Sequence, residues 1–139
     1  MTAPVFIHTA ALGARCILLM ACLVGSSSAH AYDRETARAN MAQDLMTCMT
    51  YYNYNAKANR RDGQDPANMD NSARSALTLA RVYEPQQKKL EAMSELSAKM
   101  INKLVQEEGF TRLVLNYAES CKSILEQPTD RMQYWFDKN

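Results

Sequence analysis

The side chains of this 139-residue chain that could do chemistry are four cysteines, two histidines, a tight group of aspartates, nine methionines and a cluster of tyrosines. Imidazole is the usual general base, the usual partner of a Ser or Cys nucleophile and the commonest metal ligand. Where His8 and His30 fall in the chain therefore decides several functions at once.

Both histidines lie in an N-terminal segment unlike the rest, together with Cys16 and Cys22. Cys16 to Val24 is an unbroken apolar run, preceded by Arg15 and followed by Gly25, three serines and Ala29-His30-Ala31. A positive flank, an apolar core and a small-residue A-x-A site, in that order, mark a cleavable secretory signal. The run is shorter than the ~20 apolar residues a membrane span requires, and Arg15 stops it from extending backwards. The expected organisation is a signal peptide over residues 1–31 and a single domain over residues 32–139. The competing expectation is a lipoprotein, in which Leu19-Met20-Ala21-Cys22 is the acylation box and Cys22 carries the lipid. Met20 is an unusual middle residue for such a box.

Cleavage after Ala31 would change the chemistry of what remains. It takes Arg15, one of 16 basic residues, and leaves them equal to the 15 acidic ones. A neutral chain has no general attraction for phosphate backbones or anionic lipid, so neither nucleic acid nor a membrane surface is an expected partner. No stable membrane insertion is expected after cleavage. Both histidines depart with the signal, so no enzyme is expected. Catalysis would have to rest on carboxylates or a phenol, such as Glu119 beside Tyr117, and no spacing brings two carboxylates together.

Two cysteines stay in the exported part, Cys48 and Cys121, and export delivers them to an oxidising compartment. Neither belongs to a C-x-x-C pair, and two thiolates without histidine do not complete a tetrahedral zinc site. A structural disulfide is expected. Closing its loop would remove roughly 4 kcal/mol of unfolded-chain entropy.

The aspartates and methionines have simpler explanations than a metal. Asp62, Asp65 and Asp70 lie close together, but Gly63 directly follows the first of them, where a calcium loop would place glycine at its sixth position and a bidentate glutamate at its twelfth. Met41, Met49, Met93 and Met100 fall at helical spacing with apolar neighbours, where thioethers fill gaps in a core. Only Gly63 and Gly109 remain after the signal, too few for a phosphate-binding loop. No metal and no cofactor are expected.

The tyrosines are the unusual placement. Tyr51, Tyr52 and Tyr54 share one stretch, and helical spacing turns Tyr52 inward with Cys48 while Tyr51 and Tyr54 point elsewhere. Rings with a polar tip are enriched at protein interfaces, which makes Tyr51, Tyr54 and Asn55 the candidate partner-binding residues. The alternative is that Tyr134, Trp135 and Phe136 fold back over them.

The elements that must position these groups read as helices. At 47% apolar and 22% charged, the composition suits one globular domain. From Asp33 to about Asn59, Ala37, Met41, Leu45, Cys48, Met49, Tyr52 and Ala56 recur at three- and four-residue steps. Residues 60–71 read as a loop. Asn71 or Ser72 caps a second helix with Ala76, Leu77, Ala80 and Tyr83 inward, which Pro85 kinks or breaks. Beyond it Leu90, Met93, Leu96, Met100, Ile101 and Leu104 continue the stripe, with Glu84–Lys88, Glu95–Lys99 and Lys103–Glu107 as outer ion pairs. After Gly109 a third helix turns Phe110, Leu113, Val114, Tyr117, Cys121, Ile124 and Leu125 inward and packs on the first. Pro128 ends it, and a short helix capped by Thr129 anchors through Met132, Trp135 and Phe136. The fold expected is all-α: a small antiparallel bundle of three main helices and a short C-terminal one, stapled by Cys48–Cys121.

The layout of a signal, about a hundred helical residues and two distant cysteines resembles small exported bacterial proteins such as secretion-system immunity proteins and acid-stress chaperones, without a diagnostic motif. The function expected is a periplasmic or secreted, non-enzymatic module that binds another protein, as an inhibitor, an immunity protein or an envelope-assembly component. The alternative is a stress or holding chaperone whose methionine-rich faces adapt to clients. The exported form should begin at Tyr32 and carry no lipid. Intact-mass measurement checks this, and a diacylglyceryl group on Cys22 is the contrary result.

Overall fold

The structure is a computed structural model that describes residues 27–138, with side chains from Arg34 onward, and all regular structure among them is α-helical. The apolar run of the expected signal, with His8, Arg15, Cys16 and Cys22, lies outside the described residues. Five helices follow in order: α1 (Ser27–Arg61), α2 (Ala67–Tyr83), α3 (Gln87–Glu108), α4 (Phe110–Glu126) and α5 (Pro128–Lys138).

Glycine and proline set the boundaries. Gly63 takes a positive φ of 71°. There the N–H of Gly63 bonds back to the carbonyl of Arg60 and that of Gln64 to Asn59, closing the end of α1. The chain re-enters a helix sooner than expected. The Asp65 carboxylate accepts the N–H of Ala67 at 2.9 Å, with Pro66 between them in helical conformation. Asp65, and not Asn71 or Ser72, thus caps α2, because proline suits the first helical position. At the other end Pro85 breaks the helix outright, so the expected second helix is the pair α2 and α3. Glu84, buried at this break, accepts the N–H of Gln86 at 2.9 Å and pairs with Lys89 at 3.3 Å, not with Lys88. Gly109, at φ 87°, separates α3 from α4 by a single residue. α5 starts at Pro128 itself, one residue before the expected cap Thr129.

α1 is the hub of residues 33–139. Leu45, Met46, Thr47 and Cys48 are buried in succession, and four consecutive residues cover most of a helix circumference. Neighbours therefore surround this part of α1. Arg38 reaches α2, its Nη2 donating to the carbonyls of Val82 at 2.8 Å and Tyr83 at 3.2 Å. Arg60, near the other end of α1, pairs with Asp70. The two contacts fix α1 and α2 as antiparallel, and Ala73, Ala76 and Ala80 are the buried residues of α2, small enough for close approach.

Against α3 the contact is polar. Ser97 is fully buried, its Oγ receives a hydrogen bond from Gln43 Nε2 at 2.9 Å, and it lies 3.0 Å from Thr47 Oγ1. Thr47 and Ser97 also hydrogen-bond the carbonyls of Gln43 and Met93, both at 2.9 Å. Among the described residues no buried side-chain polar atom lacks a partner. This network rotates α3 from its expected setting. Ser97 and Ile101 face the core, while Leu96 and Met100, expected inside, are 50% and 45% exposed.

α4 closes the core. Leu113, Cys121 and Ile124 are its buried residues, and Cys121 Sγ lies 2.05 Å from Cys48 Sγ, forming the expected disulfide across 73 positions. The third expected helix does pack on the first. α5 has no fully buried residue and docks through Asp44, whose Oδ2 accepts from Arg131 Nε and from Trp135 Nε1, each at 2.7 Å. Met132 and Trp135 pack on the core beside this contact, whereas Phe136, expected as part of the anchor, stays exposed.

Replacing Cys48 and Cys121 with serine should lower the melting temperature by on the order of ten degrees or more, from the roughly 4 kcal/mol of unfolded-chain entropy that the cross-link removes. Thermal melts of the two forms, with thiol labelling of the denatured unreduced protein, check this. Labelling of both cysteines would contradict the cross-link.

Candidate functional site

The tyrosine stretch of α1 divides between core and surface. Tyr51 is only 5% exposed, with its ring centroid 5.1 Å from Tyr52 and 6.1 Å from Tyr117 of α4. It belongs to the core, contrary to the expectation that it points away. The reason is that α1 is covered on more than one side: Tyr52 and Tyr51 fill adjacent sectors instead of one facing in and one out. Burial pushes both phenols above the usual tyrosine range, with Tyr51 and Glu126 adding to the effect on Tyr52. Asn55 also turns to its own helix, its Nδ2 donating to the Tyr51 carbonyl at 2.8 Å.

Tyr54 is the one candidate that reaches a cavity. It is half-buried, and its ring stacks on Phe110 with centroids 6.4 Å apart and planes 25° from parallel. Around this pair lies a cleft of about 350 Å³, lined further by Lys57, Ala58, Arg61 and Val105. Its walls are the last turns of α1, the end of α3 and the first residue of α4. Phe110, expected inside, is 39% exposed and supplies the outer wall. Trp135 bonds Asp44, seven positions before Tyr51 on α1, and packs on the core.

The lining of the cleft combines two chemistries. Tyr54, Phe110, Val105 and Ala58 give apolar walls, and Lys57 and Arg61 bring two cations. Arg61 bonds the neighbouring Asp62 at 2.9 Å, and that bond holds the Asp62 carboxyl below the ordinary carboxylate range. The acids at the end of α3 face other partners: Glu107 pairs with Lys103 at 3.9 Å and Glu108 with Arg112 at 3.0 Å. Lys57 has no ion pair among the described residues.

The spacing that could have revealed this site is Tyr54, Lys57, Ala58 and Arg61, at i, i+3, i+4 and i+7 on one helix. That stripe continues past the point where the expected core face ends. Val105 and Phe110 carry no comparable signal, since their approach to Tyr54 depends on the reversal of direction at Gly109.

A second cleft of about 320 Å³ lies between α1 and α2, with Met49 and Leu77 among its apolar lining. Its charged groups are already engaged, Arg60 with Asp70 and Arg74 with Asn71. The three aspartates are spoken for in the same way: Asp62 by Arg61, Asp65 by the N–H of Ala67, and Asp70, in the first turn of α2, by Arg60.

Comparison of the chain with protein-family models, with curated proteins and with solved structures finds no match. The class is therefore set by the fold alone, an all-α bundle with one disulfide. Among the described residues no helix is long and apolar enough to cross a membrane.

The two tyrosine candidates, Tyr51 in the core and Tyr54 at the cleft, should separate by experiment. Tyr51→Ala should cost about 3 kcal/mol of stability, the usual loss for a buried aromatic. Tyr54→Ala should cost about 1 kcal/mol, the scale of one aromatic pair. Denaturant melts of the two variants check this, and equal losses would show that Tyr54 is as much a part of the core as Tyr51.

Proposed function

We propose that the protein is an exported, non-enzymatic module that binds another protein through the Tyr54–Phe110 cleft. The observation that carries this is a stacked aromatic pair left half open at a cleft of about 350 Å³, within the size range of specific binding pockets. Aromatic side chains held in pockets are the usual anchors of protein interfaces. Export is supported by the A-x-A site after an apolar run and by a disulfide, which persists in oxidising compartments. The non-enzymatic assignment rests on the lining, four largely apolar side chains and two cations, whose composition suits holding a ligand more than moving its protons.

Photo-crosslinking tests the proposal. A photoreactive residue at Phe110 should give a discrete protein adduct when the chain is expressed and exported, and the same residue at Lys122, on exposed α4 surface, should not. Adducts of equal yield at both positions would overturn the cleft as the binding face. A smear of many adducts, together with hydrophobic-dye binding on mild acidification, would favour the holding chaperone.

A further inference from the structure

We infer that the cleft recognises a protein segment in which a large apolar side chain sits beside a carboxylate, the side chain entering against Tyr54 and Phe110 and the carboxylate meeting Lys57. This rests on the binding-module proposal and names the chemistry of its partner. The apolar part follows from the lining: Tyr54, Phe110, Val105 and Ala58 offer no hydrogen-bonding side chain except the Tyr54 hydroxyl. The volume suits one large side chain and its backbone, at the low end for a small-molecule site.

The charged part follows from the same lining. Lys57 and Arg61 lie one helical turn apart on α1, and both line the cleft. The described acids next in sequence to its lining have cations of their own: Asp62 is bonded to Arg61, Glu107 to Lys103 and Glu108 to Arg112. Arg60, next to Arg61 in sequence, is taken away by Asp70. Among the described residues, the cation that lines the cleft without an ion pair is Lys57. The carbonyls at the end of α1 would repel an anion, but the N–H groups of Gly63 and Gln64 engage those of Arg60 and Asn59. Lys57 stands a turn inside that end. An apolar slot with an unpaired cation in its lining is complementary to a hydrophobic residue adjacent to an Asp, a Glu or a chain terminus.

The test uses N-acetyl-L-tryptophan and N-acetyl-L-tryptophanamide as probes, with binding followed by amide chemical shifts of the purified protein. The acid should perturb Lys57, Ala58, Arg61, Val105 and Phe110, and should bind about threefold more tightly than the amide at low salt, the scale of one exposed ion pair. The preference should vanish in Lys57→Gln and shrink in high salt, while Phe110→Ala should weaken both probes together. Equal affinity of acid and amide for the unmodified protein would overturn the inference, as would perturbations centred on the α1–α2 cleft. Saturation by decanoate in preference to both probes would assign the cleft to a lipid instead. Concentration-dependent shifts of the same signals without a probe would assign it to a second copy of the chain. Crosslinked adducts at Phe110 with no acid preference would leave the binding module standing and this inference fallen, whereas acid-selective binding without adducts would overturn the binding module and the protein segment with it, leaving only a carboxylate contact at Lys57.

Discussion

The burial of α1 on nearly all sides is the constraint from which the rest of the structure follows. A helix with Leu45, Met46, Thr47 and Cys48 buried in succession has no single inner face, and each neighbour must supply a surface for a different sector of it. α2 meets it with alanines, α3 with Ser97, α4 with Cys121 and α5 with Arg131 and Trp135. The Cys48–Cys121 bond fixes one of these meetings covalently, near the middle of the hub, and by doing so sets where every other contact along α1 and α4 falls. Tyr51 meets Tyr117 and Tyr54 meets Phe110 because those pairs step away from the cross-link in opposite directions along two antiparallel helices.

Polar contacts then choose among packings that apolar residues alone would allow. The Gln43–Thr47–Ser97 cluster is buried and fully partnered, so rotating α3 by one position would strand hydroxyl groups in the core. Leaving such a group unsatisfied costs on the order of 1–3 kcal/mol, enough to outweigh the partial exposure of Leu96 and Met100. Asp44 acts similarly on α5, a helix without a buried side chain of its own. Its carboxylate takes hydrogen bonds from two residues one turn apart, and the Arg131 guanidinium lies 4.5 Å and 5.1 Å from the ring centres of Tyr134 and Trp135.

This explains which parts of the structure were legible in the amino-acid sequence. Punctuation was legible because it is local: Gly63, Pro85, Gly109 and Pro128 each end or begin a helix for reasons carried by the backbone of that one residue. The disulfide was legible because both cysteines sit at apolar positions of different helices, far from the two cysteines of the N-terminal apolar run. Helix faces were less so. Periodicity assumes one buried side, and it failed for Tyr51, which lies on a hub, and for Leu96 and Met100, which a buried serine displaced. The cap of α2 was missed because Asp65-Pro66 reads equally well as a turn. Of the candidate site, Tyr54 alone was visible, since its companions Val105 and Phe110 come from helices whose approach depends on the geometry at Gly109.

The placement of the cleft follows from the same hub. Near the cross-link the sectors of α1 are filled, and Tyr51 and Tyr52 complete that packing. Further along, α1 approaches its end at Gly63 just where α3 stops and the chain reverses at Gly109 into α4. Tyr54, Val105 and Phe110 from the three helices meet there around the cleft. A single-residue connection leaves Phe110 little freedom to move away from Tyr54, which is itself only six positions from Cys48. The aromatic walls are thereby held in place before any ligand arrives. A surface held in this way loses little conformational freedom on binding, so even a cleft sized for one side chain can contribute measurably to affinity.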